Sequence, residues 1–105
     1  MKKQYDTFDL ASQEAAKAEA EERAKLRARI EAEDLKWVMS NKRGRRVIHT
    51  VLERAGVFRS SFHTNALQMA FNEGSRNEGL AMLAKIMEHS PELYSLMLKE
   101  QKEDE

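Results

Sequence analysis

The sequence contains no cysteine. That excludes a disulfide framework, a thiol nucleophile and a thiolate metal site, and it suits a reducing cytosol. One proline and four glycines in 105 residues are too few for the many turns of a β sandwich or barrel. No apolar run approaches the roughly 18 residues that a membrane span needs, and the stretch MKKQYDTFDL has no hydrophobic signal core. Charge of one sign is also lacking: 18 cations balance 18 anions, so the net charge by itself implies no partner. His49, His63 and His89 stand apart, without the His/Asp/Glu spacing of a zinc site. There is no glycine-rich phosphate loop and no nucleophile elbow. No catalytic residue, no metal and no cofactor is expected.

What is present is helical. A chain of this length has room for one domain and a modest core, which leaves much of its surface open to partners. From Asp9 to Met39 the sequence is dominated by Ala, Glu, Lys and Arg, all strong helix formers. Asp9 is placed to cap its start, and Glu19 with Arg23 and Glu21 with Lys25 are favourable i,i+4 pairs. The first three turns hold almost no large apolar residue, and Leu26, Ile30 and Trp37 share a face only near the end. The first turns are therefore expected to project as a charged arm, solvated or docked on a partner or a sister subunit, and residues 1–8 to fray. Ser40 or Asn41 caps the next helix, whose apolar face is Val47, Ile48, Val51, Leu52 and Ala55. Gly56 suits the left-handed position that ends it, with Val57 or Phe58 as the apolar residue beyond. Thr64 or Asn65 caps a third helix containing Leu67, Ala70 and Phe71. Gly74 with Ser75 and Glu78 predicts a break or kink, followed by a stripe of Leu80, Leu83, Ile86 and Met87. Ser90-Pro91-Glu92 restarts the last helix, and the tail KEQKEDE is expected to fray.

The fold class that follows is all-α: a small single-domain helical bundle of 4–5 helices with a long charged N-terminal helix. The domain division is residues 1–34, a largely projecting helix, and residues 35–105, a compact helical domain. The expected core comprises Leu26, Ile30, Trp37, Val47, Val51, Phe58, Phe62, Phe71, Leu83, Ile86 and Leu93, with the six methionines as filler.

Charge is unevenly spread. Residues 1–34 carry 7 cations and 9 anions, residues 35–63 carry 7 cations and 1 anion, and residues 64–105 carry 4 cations and 8 anions. Lys42, Arg43, Arg45 and Arg46 fall in the first turn of a helix, the positive end of its dipole, where cations cost stability. Such a cluster points to an external anion or acidic partner, or to self-pairing with Glu73, Glu78 or Glu88. Nucleic acid is the weaker candidate, because the cluster is narrow and lacks an aromatic platform.

The stretch AGVFRSSFH, residues 55–63, raises its own question. Phe58 and Phe62 at i,i+4 would enter the core from one turn. Arg59, Ser60 and Ser61 would then face outward, with the hydroxyls able to cap the third helix.

Gly44-Arg45-Arg46, the run Ala55 to Phe62, and Glu73-Gly74 with Arg76-Asn77 and Gly79 together resemble a family of small helical proteins of tailed, podovirus-type bacteriophages, named from a Bordetella phage reading frame. The resemblance covers about residues 35–100. It implies an all-helical phage protein with no enzymatic activity, from a gene setting similar to that of head and tail assembly. It implies residence in the cytoplasm of the infected bacterium or in the virion. The polar positions of the shared strings that could face one partner are Arg45, Arg46, Arg59, Ser60, Ser61, Arg76 and Asn77.

Three functional readings result. The first is a non-enzymatic phage protein–protein interaction module, acting in virion assembly or as a minor virion component. Its partner- or anion-binding residues are Lys42, Arg43, Arg45, Arg46, Arg59, Ser60, Ser61, Arg76 and Asn77. The second is a nucleic-acid-binding accessory factor using the basic turn 42–46. The third is a phage factor that binds and redirects a host enzyme. The expected partners are other phage proteins or a host protein, with a homo-oligomer through the N-terminal helix and no membrane.

Overall fold

The computed structural model describes residues 7–104, the side chains of Thr7 and Phe8 excepted. The expected fraying of residues 1–8 lies mostly outside the described residues. Four helices follow one another: α1 (Thr7–Met39), α2 (Lys42–Ala55), α3 (Ala66–His89) and α4 (Pro91–Glu103). There is no strand among the described residues. The chain divides into two compact units, with the boundary between Glu31 and Ala32 inside α1.

In the first unit, residues 9–31 are exposed at every position. Asp9 lies within the first turn of α1 rather than capping it, and accepts a bond from Gln13 Nε2 at 3.4 Å. Arg23 meets Glu19 at 3.9 Å as expected, while Lys25 reaches Glu22 at 3.6 Å. Leu26 and Ile30, expected in the core, are exposed.

In the second unit α2, α3 and α4 pack pairwise on one another. The core is Met39, Ile48, Leu52, Val57, Ile86 and Met97, with Leu35, Val38, Ala55, Leu80, Met82, Leu83, Leu93 and Tyr94 packed around it. Each fully buried side chain contributes about 1.5–3 kcal/mol. The end of α1 turns Leu35, Val38 and Met39 inward, an i, i+3, i+4 set. Trp37 lies off that stripe and is 72% exposed, a correction to its expected burial. On α2 the inward line is Arg45, Ile48, Leu52 and Ala55, so Val47 and Val51 fall on the flank and stay exposed.

Caps settle the helix ends. Asn41 accepts the Gly44 N–H at 2.8 Å through its Oδ1 and starts α2. Gly56, at φ 87°, ends it. The Gly56 N–H donates to the Glu53 carbonyl at 3.0 Å and the Val57 N–H to Leu52 at 3.1 Å. This is the paired Schellman pattern, with Val57 and Leu52 as its buried apolar couple. Asn65 Oδ1 accepts from Gln68 N–H at 3.0 Å and starts α3. Ser90 is buried at the start of α4, but its side chain makes no capping bond; Pro91 at the first turn sets the direction.

Two expectations about α3 and α4 are corrected. α3 runs unbroken through Gly74, so no break falls there and no capping box restarts the helix. A mid-helix glycine costs roughly 0.5–1 kcal/mol, and the packed C-terminal half outweighs it. Gly79 supplies that packing: a Cβ there would lie 2.5 Å from Val57 Cγ2 and 2.7 Å from Ala55 Cβ, so only a glycine lets α3 approach the end of α2 this closely. The tail also stays helical as far as Glu103.

Candidate functional site

The basic turn at the start of α2 splits into two kinds of residue. Arg45 is buried. Its Nε donates to Glu100 Oε1 at 2.6 Å, its Nη2 to Glu100 Oε2 at 3.0 Å, and its Nη1 to the Met39 carbonyl at 2.9 Å. The hydrogen bonds to Glu100, helped by its charge, raise the Arg45 pKa against the opposing effect of burial. They also hold the Glu100 carboxyl below its ordinary value, again against burial, with smaller help from the charges of Arg45, Lys42 and Arg46. Arg45 therefore cannot face a partner as the sequence suggested. It occupies the core-facing line of α2, three residues before Ile48 and seven before Leu52, and its acid is Glu100 rather than Glu73, Glu78 or Glu88. Lys42 lies 3.8 Å from Asp104, and Arg43 and Arg46 are exposed.

The other end of α2 presents a second and more convergent cluster. The Schellman turn reverses the chain at Gly56. Residues just before it and just after it are thereby brought to one place. Arg59 Nη1 donates to the Glu53 carbonyl at 2.8 Å, a second bond to the acceptor that already takes the Gly56 N–H, and its charge complements the dipole at the end of α2. Ser60 Oγ accepts the Phe62 N–H at 3.1 Å. Ser61 Oγ donates to the Glu73 carboxylate, and Asn72 Nδ2 donates to the Ser61 carbonyl at 3.3 Å. His63 Nδ1 accepts the Asn65 N–H at 2.9 Å. The segment between α2 and α3 is thus not helical but is tied down residue by residue, partly onto α3 itself.

This arrangement answers the question posed by residues 55–63. Phe58 and Phe62 do not enter the core together, because the segment lacks the helical register that an i,i+4 pair requires. Val57 takes the buried place. Phe58 stacks on His49, with ring centroids 5.2 Å apart and planes 21° apart. Phe62 is 74% exposed. The serine hydroxyls do not cap α3, since Asn65 does.

Between this segment and α3 lies a cleft of about 140 Å³ lined by Arg54, Arg59, Arg76, Ser60, Ser61 and Ser75, among others. Neither Arg54 nor Arg76 has an ion-pair partner among the described residues. Arg76 Nε is buried without a hydrogen-bond partner. An unsatisfied buried donor of this kind costs about 1–3 kcal/mol, and more when charged. Phe71 lines the same cleft and is 72% exposed. Leu67, one turn earlier on the same face of α3, is 84% exposed. Cationic donors, hydroxyls and exposed apolar side chains therefore share one face. Such an arrangement can take an oxyanion at its centre and apolar groups at its edge.

Of the sequence-predicted residues, Arg59, Ser60, Ser61 and Arg76 meet in the cleft. Lys42, Arg43 and Arg46 sit about eight or more residues away along α2, some 12 Å or more at 1.5 Å per residue. Asn77 is exposed on α3 and is not among the cleft residues. Arg54 and Ser75 escaped sequence reasoning. The signal for Arg54 was Gly56 itself, since a left-handed helix end folds the following residues back over the last turn.

Residues 35–99, more than half of the chain, match the family of Bbp19-like phage proteins. No curated protein and no solved structure matches the chain. The matched residues take in all of α2, the cleft, all of α3 and most of α4, and on them the chain belongs to the Bbp19-like phage protein family.

Proposed function

We propose that the protein is a non-enzymatic interaction module that docks on another phage protein during virion assembly, through the face formed by the cleft and its apolar edge. The observation that carries this reading is the convergence of Arg54, Arg59 and Arg76 with the exposed Phe71 in one cleft, with exposed Phe62 next in the chain to Ser61 and exposed Leu67 one turn before Phe71. A solvated face has no reason to combine the two, whereas the centre of a protein interface commonly does: arginines and aromatics are enriched there. The basic turn 42–46 is the poorer candidate for a docking surface. Arg45 is spent on Glu100 and Lys42 lies near Asp104, which leaves Arg43 and Arg46. That also weakens the case for nucleic acid, which calls for a broad cationic footprint.

The test is site-specific photo-crosslinking in infected cells, with the photoreactive residue at Phe71 and, as a control, at Ser95 on α4. The reading expects an adduct from Phe71, absent from Ser95, to a head or tail protein identified by mass spectrometry. An adduct only to nucleic acid, or only to a host enzyme, would replace it with one of the other two readings.

A further inference from the structure

We infer that the cleft is a receptor for a single carboxylate, carried by an aspartate or glutamate flanked by apolar side chains on the partner protein. This rests on the docking-face reading and names the chemistry that the face recognises.

The cleft offers donors. The guanidinium groups of Arg54, Arg59 and Arg76 have no acceptor atoms. Ser60 uses its oxygen as an acceptor from Phe62, which leaves its O–H to donate. The hydroxyl of Ser75 is a further donor on the wall. A ligand that satisfies such a lining is rich in acceptors and negatively charged. The chain itself shows how its arginines take one: Arg45 grips Glu100 through Nε and Nη2 together. At Arg76 the corresponding Nε has no partner, and no carboxylate of the described chain supplies one. Glu73, three residues before Arg76 on α3, is engaged by Ser61.

The surroundings favour a lone carboxylate over a polyanion. Glu73 borders the cleft, Glu78 follows on the same helix, and residues 64–105 carry 8 anions against 4 cations. A nucleic-acid backbone would run its repeated charges past those acids. A single side-chain carboxylate carries one charge to the three arginines and brings no further phosphates past Glu73. The exposed Phe62, Leu67 and Phe71 give its neighbours an apolar seat.

The experiment is a titration of the full-length, isotope-labelled protein followed by NMR. The readouts are the arginine Nε–H signals and the backbone amides of residues 59–61 and 75–76. The probes are a capped pentapeptide with one glutamate among leucines, the same peptide with glutamine, inorganic phosphate, and a single-stranded DNA decamer. The inference expects saturable shifts at Arg59 and Arg76 from the glutamate peptide and binding of the glutamine peptide at least about tenfold weaker. It also expects weakening by Arg54→Ala in a protein whose melting temperature is unchanged. Equal binding of the two peptides would overturn it, as would tighter binding by the DNA or an absence of cleft shifts with every probe. The two readings fail separately. Crosslinks from Phe71 to a structural protein together with equal binding of the two peptides would remove the carboxylate and leave the docking face. A selective glutamate peptide without such crosslinks would do the reverse.

Discussion

Arg45 and Glu100, 55 positions apart in the chain, hold each other through two hydrogen bonds of 2.6 and 3.0 Å. The pair ties the first turn of α2 to the last turn of α4, and its two side chains are almost enclosed. Glu100→Gln should lower stability by about 1.5–3 kcal/mol, the usual worth of hydrogen bonds to a charged group. Arg45→Met combined with Glu100→Leu should recover much of that loss, because no charge is then left enclosed. The pair also sets a pH dependence. The Glu100 carboxyl titrates below its ordinary value of 4.5, so its contribution is complete above about that pH. The contribution falls away as pH drops through the lower, folded-state value. Urea melts from pH 7 down to pH 3 should show this loss in the native chain and a smaller one in Glu100→Gln.

Two glycines of α3 should respond to substitution in opposite directions. Gly79→Ala places a methyl group against Val57 and Ala55 and should destabilise by about 1–3 kcal/mol. Gly74 has nothing within 4 Å of a built Cβ, and Gly74→Ala should stabilise the helix by about 0.5–1 kcal/mol. Thermal melts of the two variants, measured side by side, check the contrast.

Every buried side chain among the described residues lies at or beyond Met39. Deleting residues 1–24 should therefore leave a cooperatively folded protein, with stability within about 0.5 kcal/mol of the full chain. Circular dichroism melts give the stability. Sedimentation of both forms shows whether any self-association disappears with the N-terminal part of α1, as an interface on that part of the helix requires.

The helices were legible in the sequence because propensity and capping act locally. Asn41, Gly56, Asn65 and Pro91 mark their boundaries by chemistry that needs no distant partner. The core was less legible. Stripes of apolar residues on α1, α2 and α3 are wider than the contacts that three short helices can make. Which edge of each stripe is buried depends on close approaches such as Gly79 on Val57 and Ala55. Trp37, Val51 and Phe71 each fall just off the buried edge. The same applies to the candidate site. Arg59, Ser60, Ser61 and Arg76 stood out as polar positions of the strings that resemble the phage family, but the inward turn of Arg45 required knowing that Glu100 lies opposite. Arg54 and Ser75 joined the cleft only once the chain reversal at Gly56 had fixed its walls.

The central claim is that the cleft face docks the protein onto an assembling phage particle. The most direct measurement is the amount of this protein in purified virions, by quantitative mass spectrometry, for the native chain and for Arg54→Glu with Arg59→Glu. Arg43→Glu serves as the exposed-charge control, and the melting temperature of each variant is measured alongside. The account predicts that the native chain and Arg43→Glu are present at equal levels, and that the double variant is folded but depleted at least about tenfold, as expected when charges at the centre of an interface are reversed. Equal incorporation of the folded double variant, or absence of the native protein from virions, would contradict it.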